Sequence, residues 1–209
     1  LRAVQFAARF DFKIESETMK QIKKNVNLIK TVSAERFQEE FKKMFEKGTP
    51  SVGVDLLQQT GILKKLFPRA RDLFPIEYDK LDKKAFPAFL AVLLRGHKSK
   101  DIQKGMKLSN EDTNAVSDVL KFMSMRDVDS DLGLVRFMKF ASPKGVENVN
   151  YVLKAQRKID LDYRLNSMRK VGKPTSMKEL AVGGRDLQKI GLRGKMIGDT
   201  LEELLIHAV

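Results

Sequence analysis

The sequence predicts an all-α fold of about ten helices, because its apolar residues recur at i, i+3, i+4 and i+7 along most of the chain. Two further observations agree. Glycine and proline punctuate the periodic stretches, with serine or threonine at their N-terminal edges, which is the pattern of capped helices. Strands have almost no support, since no sustained period-two run and no Asn-Gly or Asp-Gly hairpin turn occurs.

The first helix spans Leu1 to Arg9, with Leu1, Val4 and Ala8 on one face and Arg2, Gln5 and Arg9 on another. A second begins after Ser16 and carries Met19, Ile22, Val26 and Ile29 as a single apolar stripe. Ser33 is placed to cap a third, in which Glu35 meets the positive end of the helix dipole. Its buried face is Ala34, Phe37, Phe41, Met44 and Phe45, and Gly48 stops it. Thr49-Pro50 opens the next helix and Gly61 closes it. From Phe67 to Pro87, three prolines among many charges predict a loop with a helical turn. Ala88 to Arg95 is an apolar helix ended at Gly96, and Ser99 caps a helix running towards Leu108.

Ser109 with Asp112 has capping-box spacing and opens a helix to about Met125. Leu134 to Phe140 forms another, and Ser142-Pro143 starts a long one carrying Val146, Val149, Val152 and Leu153. Ser176 with Glu179 repeats the capping-box spacing. The last helix carries Ile197, Leu201, Leu204 and Leu205.

Composition narrows the function. Hydrophobic residues make up 42% of the 209, which excludes a disordered tail, and 32% are charged, which argues against a membrane protein. The formal charge of +13 and a pI near 9.8 favour a polyanionic partner, because each neutralised phosphate releases condensed counterions. The same surplus would also serve a merely solubilising cationic surface. Cysteine is absent, which excludes disulfides, thiolate zinc sites and cysteine nucleophiles. His97 and His207 are the only histidines, too few for a histidine-rich metal site, and each is expected in solvent or at a helix edge. Asp127-Val128-Asp129 has the letters of a metal-binding carboxylate pair, but it falls at a helix-to-loop boundary and is expected to be a solvated loop. No signal peptide is visible, and Leu1 already lies inside a helical pattern, so the chain is expected to be a domain of a longer protein.

Three separated stretches carry a family resemblance. The first is Leu1-Arg2-Ala3-Val4-Gln5-Phe6-Ala7-Ala8-Arg9-Phe10, followed by Ser33-Ala34-Glu35-Arg36-Phe37 and then Glu40. The second is Met106-Lys107-Leu108-Ser109-Asn110-Glu111. The third is Leu180-Ala181-Val182-Gly183-Gly184-Arg185-Asp186-Leu187, with Ile190-Gly191-Leu192 and Gly194 behind it. In order and spacing the chain resembles the neck, body and tail of class II tRNA nucleotidyltransferases, the CCA-adding and A-adding enzymes and their poly(A) polymerase relatives.

The resemblance implies an elongated multi-helix array with a neck at 1–48, a body at 49–128 and a tRNA-binding tail at 129–209. It implies a separate head whose carboxylate pair binds Mg for phosphoryl transfer, so that this chain holds no catalytic residue, metal or cofactor of its own. ATP and CTP would be partners only together with that head. The partner of the chain itself would be tRNA, along its acceptor and T arms, in the cytoplasm and away from any membrane. The family's base-reading motif (Glu-Asp, two residues, Arg) would end just before Leu1. Arg2, Arg9, Glu35 and Arg36 match the neck pattern and would brace the nucleotide site, while Gln5 departs from the arginine usual there. Two alternatives remain at this level, a poly(A) polymerase portion and an independent helical module that binds RNA or protein.

The charge itself is uneven. Between Lys154 and Lys195 twelve basic residues face four acids, more than half of the surplus in a fifth of the length. A solvated helix face mixes signs, so this asymmetry points to phosphate contacts. Arg164, Arg169, Lys170, Lys173, Arg185, Lys189, Arg193 and Lys195 are the candidate RNA-binding cations. Gly191 and Gly194, with Gly198, bracket the start of the final helix, where free N–H groups and the dipole favour an anion. Few aromatics interleave with these charges, so shape and backbone recognition of folded RNA is expected over base stacking.

Overall fold

The structure is a computed structural model and describes residues 1–70, 77–128, 130–157 and 160–209. The expected all-α fold is what it shows. Among the described residues there are thirteen α-helices and three short 3-10 turns, without a strand. The helices are α1 (Arg2–Phe10), α2 (Ser16–Lys24), α3 (Ala34–Lys47), α4 (Pro50–Gln59), α5 (Ile62–Leu66), α6 (Phe86–Leu93) and α7 (Ser99–Met106). They continue with α8 (Asn110–Ser124), α9 (Asp131–Phe140), α10 (Pro143–Arg157), α11 (Leu161–Lys170), α12 (Gly184–Lys189) and α13 (Lys195–Ala208). The excess over ten lies in short or polar helices (α5, α11 and α12) whose apolar stripes are too brief to stand out.

The chain forms two compact units. The first comprises Leu1–Leu120 and Ser142–Ile159 and is built around α6, all eight residues of which are buried. A helix that is apolar all round belongs in a core. Phe89 stacks on Phe45 of α3 with ring centroids 4.7 Å apart, and Tyr78 meets Phe89 edge-on at 5.7 Å. The start of α6 has an unpaired donor that the buried Asn148 of α10 satisfies, its Oδ1 accepting the Ala88 N–H at 3.0 Å. The buried carboxylate of Asp118 accepts both the N–H and the hydroxyl of Ser142, at 2.8 and 2.7 Å, and so ties α8 to the entry of α10.

Several expected caps form. Ser33 Oγ accepts the Arg36 N–H at 3.4 Å, Ser109 Oγ accepts that of Asp112 at 3.0 Å, and Ser142 Oγ accepts that of Gly145 at 3.1 Å.

Other expectations are corrected. Gln5 is only 3% exposed and sits in the buried face of α1 with Val4, Ala7 and Ala8, not with Arg2 and Arg9. A third residue per turn is drawn in because α1 packs against both α3 and α4, which widens its buried arc. The stripe Met19, Ile22, Val26, Ile29 is not one helix: α2 ends at Lys24 and Val26–Thr31 continues as a 3-10 turn. At this break Asn25 donates its side-chain amide to the Gln21 carbonyl, a local bond that competes with helix propagation. Between Phe67 and Pro87 the helical turn is Tyr78–Lys80, but α6 already begins at Phe86, with Pro87 accommodated in its first turn. Residues 71–76 lie outside the described residues. Ser99 is the first residue of α7, and the N-cap position is taken by Lys98 instead.

The second unit comprises Lys121–Ala141 and Asp160–Val209. Phe137 is fully buried and meets Phe122 at 5.0 Å and Phe140 at 5.6 Å, both edge-on. Helix α9 begins before the expected Leu134, at Asp131, because Ser130 Oγ caps the Gly133 N–H at 2.9 Å. The spacing of Leu161, Leu165 and Met168 gives α11 its buried face, and the Asp160 carboxylate caps it through the N–H groups of Asp162 and Tyr163. The expected box of Ser176 and Glu179 is instead a 3-10 turn in which Ser176 makes no side-chain cap. Glu179 reaches one residue further back and accepts the N–H of the buried Thr175 at 2.7 Å. In α13 Leu205 is buried, whereas Leu204 is 37% exposed and does not join it.

Candidate nucleic-acid interface

In the first unit, the four expected neck residues are all exposed on α1 and α3. Arg2 places its Nε 3.7 Å from the carboxylate of Glu40, whose side chain is only 11% exposed. Glu39 is held below the ordinary carboxylate range, first by the hydrogen bond and charge of Lys43 and then by the charges of Arg2 and Arg36. The structure therefore brings Arg2 and Arg36 within range of one acidic pair on α3. Arg9 lies elsewhere, its guanidinium 4.8 Å from the centroid of Phe10. Glu35 stands in the first turn of α3, where its charge suits the helix dipole. Beneath this surface Gln5 Nε2 and Glu40 Oε2 are buried without a hydrogen-bond partner among the described residues.

Phe6, Phe10 and Phe12 form an exposed aromatic ladder, with centroids 6.0 and 5.5 Å apart, that sequence reading passed over. The i, i+4 spacing of Phe6 and Phe10 was a visible signal for it.

In the second unit the expected RNA-binding cations separate into two groups. Lys173 Nζ and an Arg164 guanidinium nitrogen both bond the carboxylate of Asp131, at 2.8 and 3.2 Å. That carboxyl is held below its ordinary range, chiefly by the Lys173 hydrogen bond. Arg169 bonds Glu179 at 3.2 Å and Thr175 Oγ1 at 3.0 Å, and Lys189 lies 3.2 Å from Asp186. These four are engaged in ion pairs. Lys170, Arg185, Arg193 and Lys195 are exposed and make no ion pair among the described residues.

The stretch with twelve basic residues is also divided: Lys154 and Arg157 belong to the first unit, and Lys158 lies outside the described residues. Residues 160–195 of the second unit keep nine basic residues against four acids.

The glycine turn before α13 has a backbone reason of its own. Gly191 and Gly194 have φ of +93° and +57°, in the region that side chains avoid, and nothing lies within 4 Å of a Cβ built on either. Their outer faces are open to an approaching group. Two N–H groups of the turn, those of Met196 and Ile197, donate to the Arg193 and Gly194 carbonyls at 3.3 Å. Arg193 and Lys195 flank the turn in solvent.

No group of three or more His, Asp or Glu side chains among the described residues is arranged to hold a metal ion. Asp127 bonds Arg136 at 2.8 Å, and Asp129 lies outside the described residues. His97 Nε2 accepts the Arg69 N–H at 3.0 Å and its ring meets Phe67 edge-on, while His207 is exposed at the end of α13. No helix among the described residues is long and apolar enough to cross a membrane.

Residues 11–73 match a family described as the probable RNA and SrmB-binding site of polymerase A. The CCA-adding enzyme of Pediococcus pentosaceus is 29% identical over 227 residues, covering 100% of this chain and 54% of that protein. The CCA-adding enzyme of a Geobacillus species is 26% identical over 215 residues, covering 98% and 52%. In fold, the chain is similar to the Bacillus stearothermophilus CCA-adding enzyme solved with CTP, with a TM-score of 0.70 at 19% identity over 98% of this chain and 54% of the other. It is also similar to the Thermotoga maritima CCA-adding enzyme solved with tRNA, with a TM-score of 0.60 at 22% identity over 98% and 55%. The chain is thus similar along its whole length to CCA-adding enzymes, and it spans about half the length of these relatives.

Proposed function

We propose that the chain is the RNA-holding portion of a tRNA nucleotidyltransferase that adds CCA, or its terminal A, to tRNA 3′ ends. The match of the whole chain to about half of each CCA-adding relative carries this reading. Nucleotide transfer, with its Mg and its ATP or CTP, is assigned to the half of those relatives that this chain does not span. On this reading the chain is not itself a catalyst and works in the cytoplasm. Its three divisions are the neck, body and tail at 1–48, 49–128 and 129–209.

The second unit grips the acceptor and T arms of tRNA through the exposed Lys170, Arg185, Arg193 and Lys195. The open turn at Gly191 and Gly194 admits a phosphate beside the start of α13. Arg164, Arg169, Lys173 and Lys189 add positive potential while their ion pairs fix the scaffold. In the first unit Arg2, Arg9, Glu35 and Arg36 brace the neck.

The purified chain, mixed with tRNA lacking its 3′ end, Mg and labelled ATP or CTP, tests this reading. It should shift tRNA in a binding assay and incorporate no label. Failure to bind tRNA, or transfer of nucleotide by this chain alone, would overturn it.

A further inference from the structure

The protein has three tyrosines and no tryptophan. Two of the tyrosines are engaged in the first unit: Tyr78 packs edge-on against Phe89, and the Tyr151 hydroxyl donates to Glu147 at 2.8 Å. Tyr163, in the second unit, is different. It stands in the first turn of α11 with 73% of its surface exposed, and its side chain has no partner among the described residues.

Tyr163 is not alone on this face. With Asn166, Ser167, Arg169 and Lys170 it lines one shallow cleft along α11. Positions 163, 166, 167 and 170 follow the i, i+3, i+4, i+7 rule and so share one side of the helix. The Ser167 hydroxyl is bound to the Tyr163 carbonyl at 2.9 Å, and Arg169 is bound to Glu179 and Thr175, so both are fixed. What remains to meet a ligand is an aromatic ring, the Asn166 amide, and the Lys170 ammonium, whose backbone position lies two turns, about 10 Å, further along the axis.

We infer that this face of α11 is a stacking site for one unpaired RNA base, with Tyr163 as the platform. Asn166 offers a donor and an acceptor to the base edge, and Lys170 meets the neighbouring phosphate. An exposed ring between polar and cationic groups suits a base, which has an apolar face, a polar edge and a charged backbone. A protein partner would instead favour further apolar side chains around the ring, and this cleft has none. The site rests on the RNA-holding function proposed above and adds what that reading lacks, a contact that distinguishes a loop from a duplex.

The test compares the whole chain with its Tyr163→Ala, Tyr163→Phe and Lys170→Ala variants. The probes are tRNA, a short stem–loop RNA, and a blunt duplex of the same stem. Tyr163→Ala should weaken tRNA and stem–loop binding about tenfold, as stacking on one base implies, and leave duplex binding and the salt slope unchanged. Tyr163→Phe should bind within about twofold of the parent, since either ring can stack. The tyrosine fluorescence quenched when the parent binds the stem–loop should no longer be quenched in that variant. Lys170→Ala should lower the salt slope by about one.

If the parent binds tRNA and Tyr163→Ala binds every RNA equally well, the stacking site is wrong and the RNA-holding function stands. If the parent binds none of the RNAs, both are wrong.

Discussion

Lys173 reaches back across 42 residues to set its ammonium 2.8 Å from the carboxylate of Asp131, the first residue of α9. Arg164 of α11 joins the same carboxylate at 3.2 Å, so one acid holds two cations that sequence reading assigned to RNA. The acid at position 131 was as visible as the bases, but its meeting with residue 173 depends on how α9 and α11 pack within the second unit.

Asp131→Asn should therefore destabilise the second unit by about 1 kcal/mol, the upper range for partly exposed pairs. The folded protein holds the Asp131 carboxyl below its ordinary range, so the contribution is complete above the unfolded value of 3.8 and is lost as pH falls through the folded value. Melting curves of the two proteins should differ at neutral pH and converge in acid. A gap that stays constant below pH 3.8 would exclude this pair as its source.

The opposite sign is expected in the first unit. The Glu147 carboxylate that accepts the Tyr151 hydroxyl, with burial adding, pushes the phenol up to about 12. A raised folded value means that its contribution is complete below the ordinary value of 10.0 and is lost as pH rises towards 12. In ultraviolet titration of the folded protein one tyrosine should ionise near 12, and Glu147→Gln should bring it down. An unchanged titration in that variant would contradict the cause.

The glycines separate structural from functional need. A Cβ on Gly133 would lie 1.9 Å from the Asp127 carbonyl oxygen, an atom of rigid backbone, so Gly133→Ala should cost roughly 1–3 kcal/mol as overpacking does. Gly198, inside α13, has nothing within 4 Å of such a Cβ, and Gly198→Ala should stabilise the helix by about 0.5–1 kcal/mol. If the turn before α13 admits a phosphate closely, Gly198→Ala should raise the melting temperature and weaken tRNA binding together. Unchanged tRNA affinity would show that residue 198 lies outside the contact.

Arg193 and Lys195 can be compared with Lys23 and Lys24, a pair of the same charge on α2. Diffuse attraction predicts equal losses of tRNA affinity on double alanine substitution. A structured phosphate site at α13 predicts a larger loss for Arg193 and Lys195, about 1–3 kcal/mol, and a salt slope reduced by one to two. Melting curves of both variants establish that each remains folded. Equal losses would mean that the glycine turn is only a turn.

Where local chemistry decided structure, the sequence was legible. Ser33, Ser109 and Ser142 cap as their spacing required, and α6 is buried all round as its composition demanded. Where tertiary partners decided it, the sequence was mute. Gln5 is polar by type yet buried, because the packing of α1 on α3 and α4 widens its buried face. Serine at 176 makes no side-chain cap, and Glu179 bonds the buried Thr175 instead. The candidate site divided in the same way. Exposed cations could be expected from charge, but which of them Asp131, Glu179 and Asp186 would neutralise followed only from the fold. Tyr163 was visible as an aromatic among charges, but its exposure followed only from the fold.

The most direct measurement is a competition at one salt concentration between tRNA and an unstructured RNA of equal length for the purified chain. A surface shaped for the tRNA arms should prefer tRNA by tenfold or more, about 1.4 kcal/mol or greater. Arg193→Ala with Lys195→Ala should erase most of that preference while leaving binding to the unstructured RNA largely intact. Equal affinity of the parent chain for the two RNAs would contradict the account and leave only a basic surface that holds any polyanion.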